Sequence, residues 1–362
     1  MSPDRDPARV PLSILKAFCE DVLTAVDVPA EDARLVARSL VQADARGLSS
    51  HGVVRLLPVY VRRLRAGTTR PRPNVRVVRQ VGAVALIDGD AGLGQVVGTR
   101  AMQKAIELAD TLGVGVVSVR NSSHFGTGAF FVEQAIQADM IGVAMTNAPS
   151  NMPPWGGRRK FFGTNPLAVG IPCGDERPVL LDMSTSVVAR GKIVMAYKAG
   201  QRIPPGWAID AEGRPTEDPA AALQGAVLPL GGYKGAGLAL VIDALCGVLS
   251  GAAFASHIVD LYDQGDRVQN VGHLFAALQI DAIMPAAEFK ARMDQFVREM
   301  RSQPRMPGVE RIYVPGEPEL EQEERSSAEG VQLPEAGWAE LDALADELGV
   351  ATLAARVHPE VG

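Results

Sequence analysis

A serine, a histidine and an arginine in one short stretch of this chain could together handle a small acid. The stretch reads Ser50-His51-Gly52-Val53-Val54-Arg55. Residues four apart share a helix face, so on a helix His51 and Arg55 would project side by side. An arginine can bind a carboxylate through two parallel hydrogen bonds, while a neighbouring histidine exchanges a proton near neutral pH. The stretch therefore indicates a site for a small substrate that carries a carboxylate.

The residues around this stretch predict a helix start. Gly47 is placed to end one amphipathic helix, and Ser49 or Ser50 can cap the next, so that His51 falls in its first turn. A second interpretation stays open on this fragment alone. In that interpretation His51 only shapes the helix start, and Arg55 is a solvated surface charge.

Six further segments combine polar or ionisable side chains with glycine, proline or serine, and they follow one another along the chain. They are Asn121-Ser122-Ser123-His124-Phe125-Gly126, Gly163-Thr164-Asn165-Pro166, Leu181-Asp182-Met183-Ser184-Thr185-Ser186, Gly231-Gly232-Tyr233-Lys234-Gly235, Val271-Gly272-His273 and Val314-Pro315-Gly316-Glu317. Connecting segments of this kind expose functional side chains. No segment is specific alone, but six in this order are.

Together these segments resemble the malate/L-lactate dehydrogenase family of the second type, which includes ureidoglycolate, sulfolactate, 2,3-diketogulonate and cyclic-imine carboxylate oxidoreductases. The resemblance runs from about Leu12 to about Leu348, which is essentially the whole chain. It implies hydride transfer between NAD or NADP and C2 of a small 2-hydroxy or 2-oxo acid of the malate, lactate, sulfolactate or ureidoglycolate type. The alternative is an NADPH-dependent reductase of a cyclic 2-imino acid of the Δ1-piperideine- or pyrroline-2-carboxylate type.

The resemblance also implies roles for the candidate catalytic residues. His51 would exchange the proton at the substrate oxygen or nitrogen, and His124 would flank the reacting centre. In some relatives the residue matching His124 is the proposed proton acceptor. Asp182 would orient His51 within a relay of Ser50, His51 and Asp182, as proposed for the cyclic-imine reductases.

Two residues are expected to bind the substrate itself. Arg55 would anchor the carboxylate, and Thr164 matches a residue that contacts substrate in related reductases, although it could equally be a turn residue. Tyr60 lies nine residues after His51, where eight are expected from relatives. One extra residue turns a side chain by roughly 100° around a helix, which leaves the role of Tyr60 open.

The resemblance places NAD or NADP against three segments. They are Asp182-Met183-Ser184-Thr185-Ser186, Lys234-Gly235 and Pro315-Gly316-Glu317. We expect Ser184 to Ser186 to precede a helix, where hydroxyl and backbone N–H groups can bind an anion. Lys234 is expected in a glycine-rich turn ahead of the next helix, where it could meet phosphate. A plain N-cap cluster and a solvated lysine are the alternatives from the residues alone.

A glycine-rich stretch from Asp88 to Gly98 invites comparison with a dinucleotide-binding loop. It follows a predicted strand and opens a helix that runs to about Leu112, but its glycines are spaced G-x-G-x-x-x-G. No clear alternation of strands and helices follows. We therefore predict only a tight turn before a helix, and a Rossmann-type dehydrogenase is the second choice of architecture.

The elements that must position these residues predict a mixed α+β protein. Apolar residues recur with helical period between residues 12 and 66, which predicts three helices, and a strand pattern predicts six strands. The strands are residues 75–78, 83–87, 114–119, 141–146, 179–181 and 271–280, and a further apolar run covers residues 167–171. Helices return from residue 285 onward, and the last of them is expected to pack on the N-terminal helices.

The resemblance implies two domains. Residues 75–284 would form a non-Rossmann NAD(P)-binding α/β domain with a mixed or antiparallel sheet. Residues 1–74 and 285–362 would form a helical domain for substrate binding and dimerisation. Broad apolar helix faces on that domain, together with the resemblance, predict a homodimer in which both chains contribute to each active site.

Composition narrows the remaining possibilities. The formal net charge is −6, which argues against nucleic acid or an anionic membrane as the main partner, and no apolar run is long enough to span a membrane. The three cysteines are scattered and the histidines lack metal-ligand spacing, which predicts a cytoplasmic protein with reduced thiols and no bound metal. A non-catalytic carboxylate-binding protein is the alternative from a different class, and it would not need the cofactor segments.

Overall fold

The computed structural model describes residues 9–263 and 267–358, and within these ranges it contains twelve α-helices. They are α1 Leu12–Thr24, α2 Ala30–Ala45, α3 Arg62–Arg65, α4 Gly94–Leu112, α5 Ala129–Gln137, α6 Arg190–Lys198, α7 Pro219–Gln224, α8 Tyr233–Asp243, α9 Ala286–Arg301, α10 Glu317–Glu329, α11 Glu335–Leu348 and α12 Leu353–Val357. None of these helices combines the length and the apolar character that crossing a membrane requires.

The strands form one large sheet and two small ones. They are β1 Arg9–Val10, β2 Arg76–Val81, β3 Val84–Asp88, β4 Val114–Ser122, β5 Met140–Thr146, β6 Leu167–Ile171, β7 Val179–Met183, β8 Ala208–Ile209, β9 Pro215–Thr216, β10 Ala226–Val227, β11 Val271–Gln279 and β12 Val331–Gln332. All six predicted strands lie in the large sheet together with β6, which is the apolar run 167–171, in the order β2-β3-β4-β11-β5-β6-β7. Only β3 and β4 pair in parallel, so the predicted mixed sheet is confirmed.

Helices pack on both faces of the large sheet because its central strand is apolar on both sides. Successive residues of a strand point to opposite faces. On β11, Phe275 packs in a core with residues of α4 and α5, such as Met102 and Phe131. Its neighbour Leu274 packs against Ile242 of α8. The sheet is therefore a buried layer, and its strand ends carry the loops that matter for function.

A second core joins the two ends of the chain. The helices α1, α2, α11 and α12 and residues 49–65 share it, and Leu15, Leu40, Leu56 and Leu344 are among its fully buried members. Strands β1 and β12 pair beside it. The prediction that the final helix packs on the N-terminal helices is confirmed.

A third, smaller core includes the region after residue 200, where a composition rich in glycine, proline and acidic residues predicts a long surface loop. The strands β8, β9 and β10 form a three-stranded antiparallel sheet. Ile203 and Ala208 are buried against it together with residues of α6 and α7. The many glycines and prolines of this region form the turns of a packed unit, so the composition that suggested a loop was misleading.

The last third of the chain departs from its sequence pattern at two places. The spacing of Phe289, Met293 and Phe296 predicts that all three lie on the buried face of α9, but Phe296 is 62% exposed, and Asp294 and Val297 are buried instead. The carboxylate of Asp294 accepts hydrogen bonds from the backbone N–H groups of the loop Gly174–Glu176. The acidic run that begins at Glu317, expected as a solvated loop, is the start of α10.

Candidate active site

The stretch around His51 is not the regular helix that its sequence predicts. Two short 3₁₀ helices, Ser49–His51 and Val53–Arg55, are separated by Gly52, which is extended with φ −87° and ψ −160°. No side chain caps either of them by a hydrogen bond. The predictions of a capped helix and of a shared helix face for His51 and Arg55 are therefore wrong.

The carboxylate of Asp44 explains the break at Gly52. Asp44 is buried and accepts a hydrogen bond from the backbone N–H of Val53 at 2.8 Å. A Cβ atom built on Gly52 would lie 2.0 Å from Oδ1 of Asp44. Burial raises the pKa of Asp44 to about 7. The close approach of the Asp44 carboxylate to the backbone at Gly52 and Val53 fixes the positions of His51 and Arg55 on either side.

His51 and His124 meet as a stacked pair of imidazoles. Their ring centroids are 5.7 Å apart, and the planes are inclined by 21°. His124 lies on the connection between β4 and α5, where the sequence predicts it. Oγ of Ser50 is 3.0 Å from Nδ1 of His51. Two of the three members of the predicted relay are thus in contact.

Tyr60 joins this pair through a π-helix. Residues Leu56–Val61 adopt this wider helix, which accommodates one more residue than the corresponding α-helical turn. A wider turn of this kind can take up the additional residue between His51 and Tyr60. The hydroxyl oxygen of Tyr60 lies 2.9 Å from Nδ1 of His124 and accepts a hydrogen bond from Nε2 of Gln95 at 2.7 Å. Tyr60 is therefore part of the site.

Arg55 is held beside the two histidines by neutral acceptors. Its Nε donates to the backbone carbonyl of Ser50, and its Nη1 donates to the hydroxyl group of Tyr262. The guanidinium carbon is 5.5 Å from the centre of the Tyr262 ring. Within residues 9–263 and 267–358 Arg55 forms no ion pair, so its charge is available to a ligand.

Burial keeps both imidazoles neutral at pH 7. Burial first, and then the positive charge of Arg55, lower the pKa of His51 to about 4. The pKa of His124 falls well below its ordinary value because of burial, then because of His51 and Arg55. Two adjacent imidazoles resist simultaneous protonation, so the pair accepts protons one at a time. Neutral imidazoles of this kind are suited to accept a proton from a substrate.

Asp182 is not part of that pair. Its carboxylate accepts a hydrogen bond from the backbone N–H of Ala129 at 2.9 Å, and the N–H of Gly128 also bonds to it. No hydrogen bond joins Asp182 to His51 in the described residues. The predicted relay of Ser50, His51 and Asp182 is therefore not formed, because the start of α5 engages the carboxylate.

Asp182 instead faces a cavity of about 390 Å³. Pro315 and Gly316 line the same cavity, and so does Arg46 from the end of α2. Although Asp182 exposes more than a third of its surface, burial raises the pKa of its carboxyl to about 6. Residues from two of the three predicted cofactor segments therefore line one cavity.

Glu317 shapes the cavity wall without offering its side chain to a ligand. It is 3% exposed, and its carboxylate accepts hydrogen bonds from Arg301, from Arg311 and from the backbone N–H of Val314. These bonds hold the turn that contains Gly316, where φ is +88° and a Cβ atom would lie 2.5 Å from Leu180. The side chain of Glu317 therefore positions the turn.

The hydroxyl residues after Asp182 are not at a helix start, contrary to prediction. The helix α6 begins only at Arg190. The N–H and hydroxyl groups of Thr185 both donate to the backbone carbonyl of Thr164, at 2.9 and 3.0 Å. Oγ of Ser184 lies 3.0 Å from Oγ of Ser186. The segment is thus a loop that is hydrogen-bonded to Thr164. It does not lie at a helix N-terminus, so no helix dipole favours anion binding there.

Lys234 and Gly235 lie in the first turn of α8, which starts at Tyr233, and not in a turn ahead of the helix as predicted. Lys234 is exposed, whereas Gly235 is buried. The N–H of Gly235 donates to the carbonyl of Leu230, whose own N–H donates to Thr185 at 2.9 Å. A Cβ atom on Gly235 would lie 2.3 Å from Leu230 O. Two predicted cofactor segments are therefore neighbours.

Sequence reasoning missed three residues of the site. Asp44 and Tyr262 are not predicted from the sequence. The only signal for Asp44 is its position two residues before Arg46-Gly47, where the helix ends. Gln95 lies in the glycine-rich stretch, which is a helix start as predicted, and is 0% exposed. A polar residue among apolar neighbours in a first helical turn was its only signal.

Comparison with known proteins identifies the family. A sequence model described as malate/L-lactate dehydrogenase matches residues 10–342. A malate dehydrogenase of Pyrococcus horikoshii is 40% identical over 355 residues, which cover 96% of this chain and 97% of the relative. The solved sulfolactate dehydrogenase from Methanocaldococcus jannaschii superposes with a TM-score of 0.89 at 39% identity, covering 95% of this chain and 98% of that one.

A solved structure of the alternative activity is also similar. The Δ1-piperideine-2-carboxylate reductase from Pseudomonas syringae pvar. tomato superposes with a TM-score of 0.83 at 28% identity, covering 93% of this chain and 99% of that one. Its likeness is weaker in sequence than that of the two dehydrogenases. The resemblance found in the sequence is confirmed, and the chain belongs to the malate/L-lactate dehydrogenase family and is an oxidoreductase.

Proposed function

We propose that this protein transfers a hydride between NAD or NADP and C2 of a small 2-hydroxy or 2-oxo acid. The substrate is of the malate, lactate, sulfolactate or ureidoglycolate type. The observation that carries the proposal is the neutral pair of His51 and His124 beside the unpaired charge of Arg55. Relatives named for their cofactor include an NAD⁺ ureidoglycolate dehydrogenase of Escherichia coli and an NADP⁺ sulfolactate dehydrogenase of Chromohalobacter salexigens.

The hydrogen bonds around His51 and His124 support different roles for the two histidines in proton transfer. Gln95 donates to the hydroxyl oxygen of Tyr60, so the single O–H of Tyr60 is free to donate to Nδ1 of His124. That order places the proton of His124 on Nε2, which makes this nitrogen a hydrogen-bond donor. His51 is then the member of the pair that accepts the proton of a substrate hydroxyl group, while Arg55 anchors the carboxylate.

The residues around the 390 Å³ cavity fit a dinucleotide. Asp182, Pro315 and Gly316 line it, and Thr185, three residues after Asp182, accepts a hydrogen bond from the N–H of Leu230 just before α8. We assign NAD(P) binding to Asp182 through Ser186, Lys234, Gly235 and the turn Pro315 to Glu317. Thr164, which carries the Thr185 loop, remains the candidate second substrate contact. The bound nicotinamide would supply the group that accepts or donates the hydride.

The domain division stays part of the proposal. The mostly antiparallel order of the large sheet supports a non-Rossmann NAD(P)-binding domain over residues 75–284. The shared core of the N- and C-terminal helices supports a helical substrate domain. Asp294 ties α9 to the loop Gly174–Glu176, which favours a C-terminal boundary later than residue 285.

The enzyme forms a homodimer with shared active sites in this proposal, although the pairing face differs from the one expected. Large exposed apolar side chains are absent from α1, α2 and α11 among the described residues. They cluster on α8, on the π-helix Ala244–Val248 that follows it and on the next residue, at Leu238, Leu240, Val241, Val248 and Leu249. A face of this kind is typical of a protein interface. Because Lys234 lies in the first turn of α8, pairing through this helix brings the second chain near the proposed cofactor segments.

Light scattering and activity measured across a dilution series test the dimer. We expect Leu240→Glu with Val241→Glu to yield monomers that lose activity, because two charges would enter the apolar face. The same exchange at the exposed Ile283, outside this face, should leave the mass unchanged. A monomeric wild-type enzyme with full activity would contradict the proposal.

The location and the absence of large partners also stay proposals. The three cysteines are free, which fits a reducing compartment such as the cytoplasm. Neither nucleic acid nor a membrane is needed for the proposed reaction, and the net charge of −6 disfavours both.

A substrate panel tests the proposed reaction. The purified protein would be assayed with malate, lactate, sulfolactate and ureidoglycolate, each with NAD⁺ and NADP⁺, and with Δ1-piperideine-2-carboxylate and NADPH. We expect turnover of at least one hydroxy acid and a change in nicotinamide fluorescence on cofactor binding. Turnover of the cyclic imine alone would replace the proposal by the alternative activity.

The pH dependence of oxidation follows from the neutral histidines. A base must be unprotonated, so activity is lost as the pH falls through its pKa. We expect the acid limb of kcat/KM, which reports the free enzyme, near the pKa of about 4 of His51 and well below its ordinary value of 6.5. Removing the positive charge in Arg55→Gln should move that limb to higher pH. A wild-type limb at the ordinary histidine value would contradict the assignment of a buried neutral base.

A further inference from the structure

Tyr262 is placed by a loop that the N-terminal helices hold. The carboxylate of Asp260 accepts a hydrogen bond from the backbone N–H of Tyr262 at 2.9 Å. Arg63, which is 2% exposed, donates to the carbonyl of Asp260 at 2.7 Å and to that of Arg267 at 3.2 Å. Arg63 belongs to the same continuous segment as Arg55. The same segment therefore carries Arg55 and also Arg63, which holds the loop whose Tyr262 contacts Arg55.

The same loop is tied to the histidine pair at its other end. Nε2 of Gln269 donates to the carbonyl of Val259 at 3.3 Å, and Oε1 of Gln269 accepts the backbone N–H of His124 at 3.4 Å. Gln269 is 2% exposed. Because both ends of the loop are held by buried side chains, the position of Tyr262 relative to His124 is set by the fold.

The contacts of Arg55 leave a defined part of its guanidinium for a ligand. Nε is engaged by the carbonyl of Ser50, and one N–H of Nη1 is engaged by the hydroxyl of Tyr262. Acceptors on two different nitrogens fix the position of the planar group and its rotation. The remaining N–H groups, on Nη1 and Nη2, can still bind both oxygens of a carboxylate.

We propose that Tyr262 is a positioning residue for substrate binding, whose hydroxyl group holds Arg55 in the plane in which it meets the substrate carboxylate. The inference rests on the proposed function, in which Arg55 anchors that carboxylate. Without the hydroxyl the guanidinium regains rotational freedom, and ordering it again opposes binding. Proton exchange at His51 does not involve Tyr262, so the effect falls on binding.

The test compares Tyr262→Phe, which keeps the ring, with Tyr197→Phe as a matched control. Tyr197 on α6 is similarly exposed, at 54% against 47% for Tyr262. Binding of oxamate, an inert 2-oxo acid analogue, to the complex with NADH would be measured by calorimetry. We expect the Kd for oxamate to rise about 10-fold in Tyr262→Phe, since hydrogen bonds to charged groups are worth about that much. The control should match wild type.

Turnover separates positioning from catalysis. For whichever of oxaloacetate and pyruvate is reduced faster, KM should rise about as much as the oxamate Kd, while kcat stays within about twofold. A kcat loss without a change in KM or Kd would overturn the positioning role. Equal oxamate affinity in wild type and Tyr262→Phe would do the same.

A double-mutant cycle shows whether Tyr262 acts through Arg55. In an Arg55→Leu background the Tyr262→Phe exchange should add no further loss of oxamate affinity, because the group that it positions is gone. Additive losses would overturn the proposal. A wild-type enzyme that binds NADH but neither oxamate nor a 2-oxo acid would instead overturn the proposed carboxylate site, and this inference with it.

Discussion

Exchange of His51 for alanine should lower kcat for hydroxy-acid oxidation by about 10²-fold or more, the usual contribution of a positioned base. The imidazole is half-buried, has its pKa lowered to about 4 by desolvation and by the charge of Arg55, contacts Ser50, and stacks on His124 at 5.7 Å. No proton acceptor replaces it in the variant. Cofactor affinity should stay near that of wild type, since the cavity lined by Asp182 and Gly316 does not include His51. Stopped-flow or steady-state kinetics with NADH fluorescence titration would measure both quantities.

The two histidines can be separated by a small set of variants. His124→Ala and the double variant complete a cycle with His51→Ala, and a double loss no larger than the single losses would show that the pair acts as a unit. His257→Ala is the control, because His257 is exposed and outside the site. Unchanged kcat in His51→Ala would remove this residue from the mechanism and leave His124 as the base.

The exchange of Gly52 for alanine should be nearly as damaging, although this residue touches no ligand. The new Cβ atom would lie 2.0 to 2.3 Å from the carboxylate atoms of Asp44. Either the carboxylate leaves its bond with the N–H of Val53, or the backbone between His51 and Arg55 shifts. A displacement of about 1 Å at such a site can cost about 10²-fold in kcat/KM. Activity and thermal unfolding together would show whether the loss is local.

Gly237→Ala provides the control for that exchange. Gly237 lies in α8, has no atom within 4 Å of a built Cβ, and has no positive φ. Alanine there should be neutral or slightly stabilising because it suits a helix better than glycine. If Gly52→Ala kept wild-type kcat/KM, Asp44 would not be a constraint on the presentation of His51.

The sequence predicted what depends on local pattern and on strand periodicity. Six of the seven strands of the large sheet are predicted, because apolar, β-branched runs bounded by turns are strong signals, and the seventh, β6, is recognised only as an apolar run. His124 was placed correctly because its position between a strand and a helix is a local property. His51 and Arg55 were identified as partners, but for the wrong geometric reason, since the break at Gly52 comes from the distant carboxylate of Asp44.

The sequence does not predict which of several possible hydrogen-bond partners a side chain binds. Asp182 is predicted to orient His51, but its carboxylate instead accepts hydrogen bonds from two backbone N–H groups at the start of α5. The same holds for Glu317, whose charge is engaged by Arg301 and Arg311. Such choices depend on tertiary distances, which neither spacing nor composition contains.

The shared core of the two chain ends has a consequence for the order of folding. The large sheet can form once residues up to 279 have been synthesised, because its last strand in the chain is β11. The helices that carry His51 and Arg55 must wait for α11 and α12 to complete their core, and for β12 to pair with β1. Contacts between such distant parts of a chain are slow to form. The active site is therefore completed only after α11 and α12 have packed on the N-terminal helices.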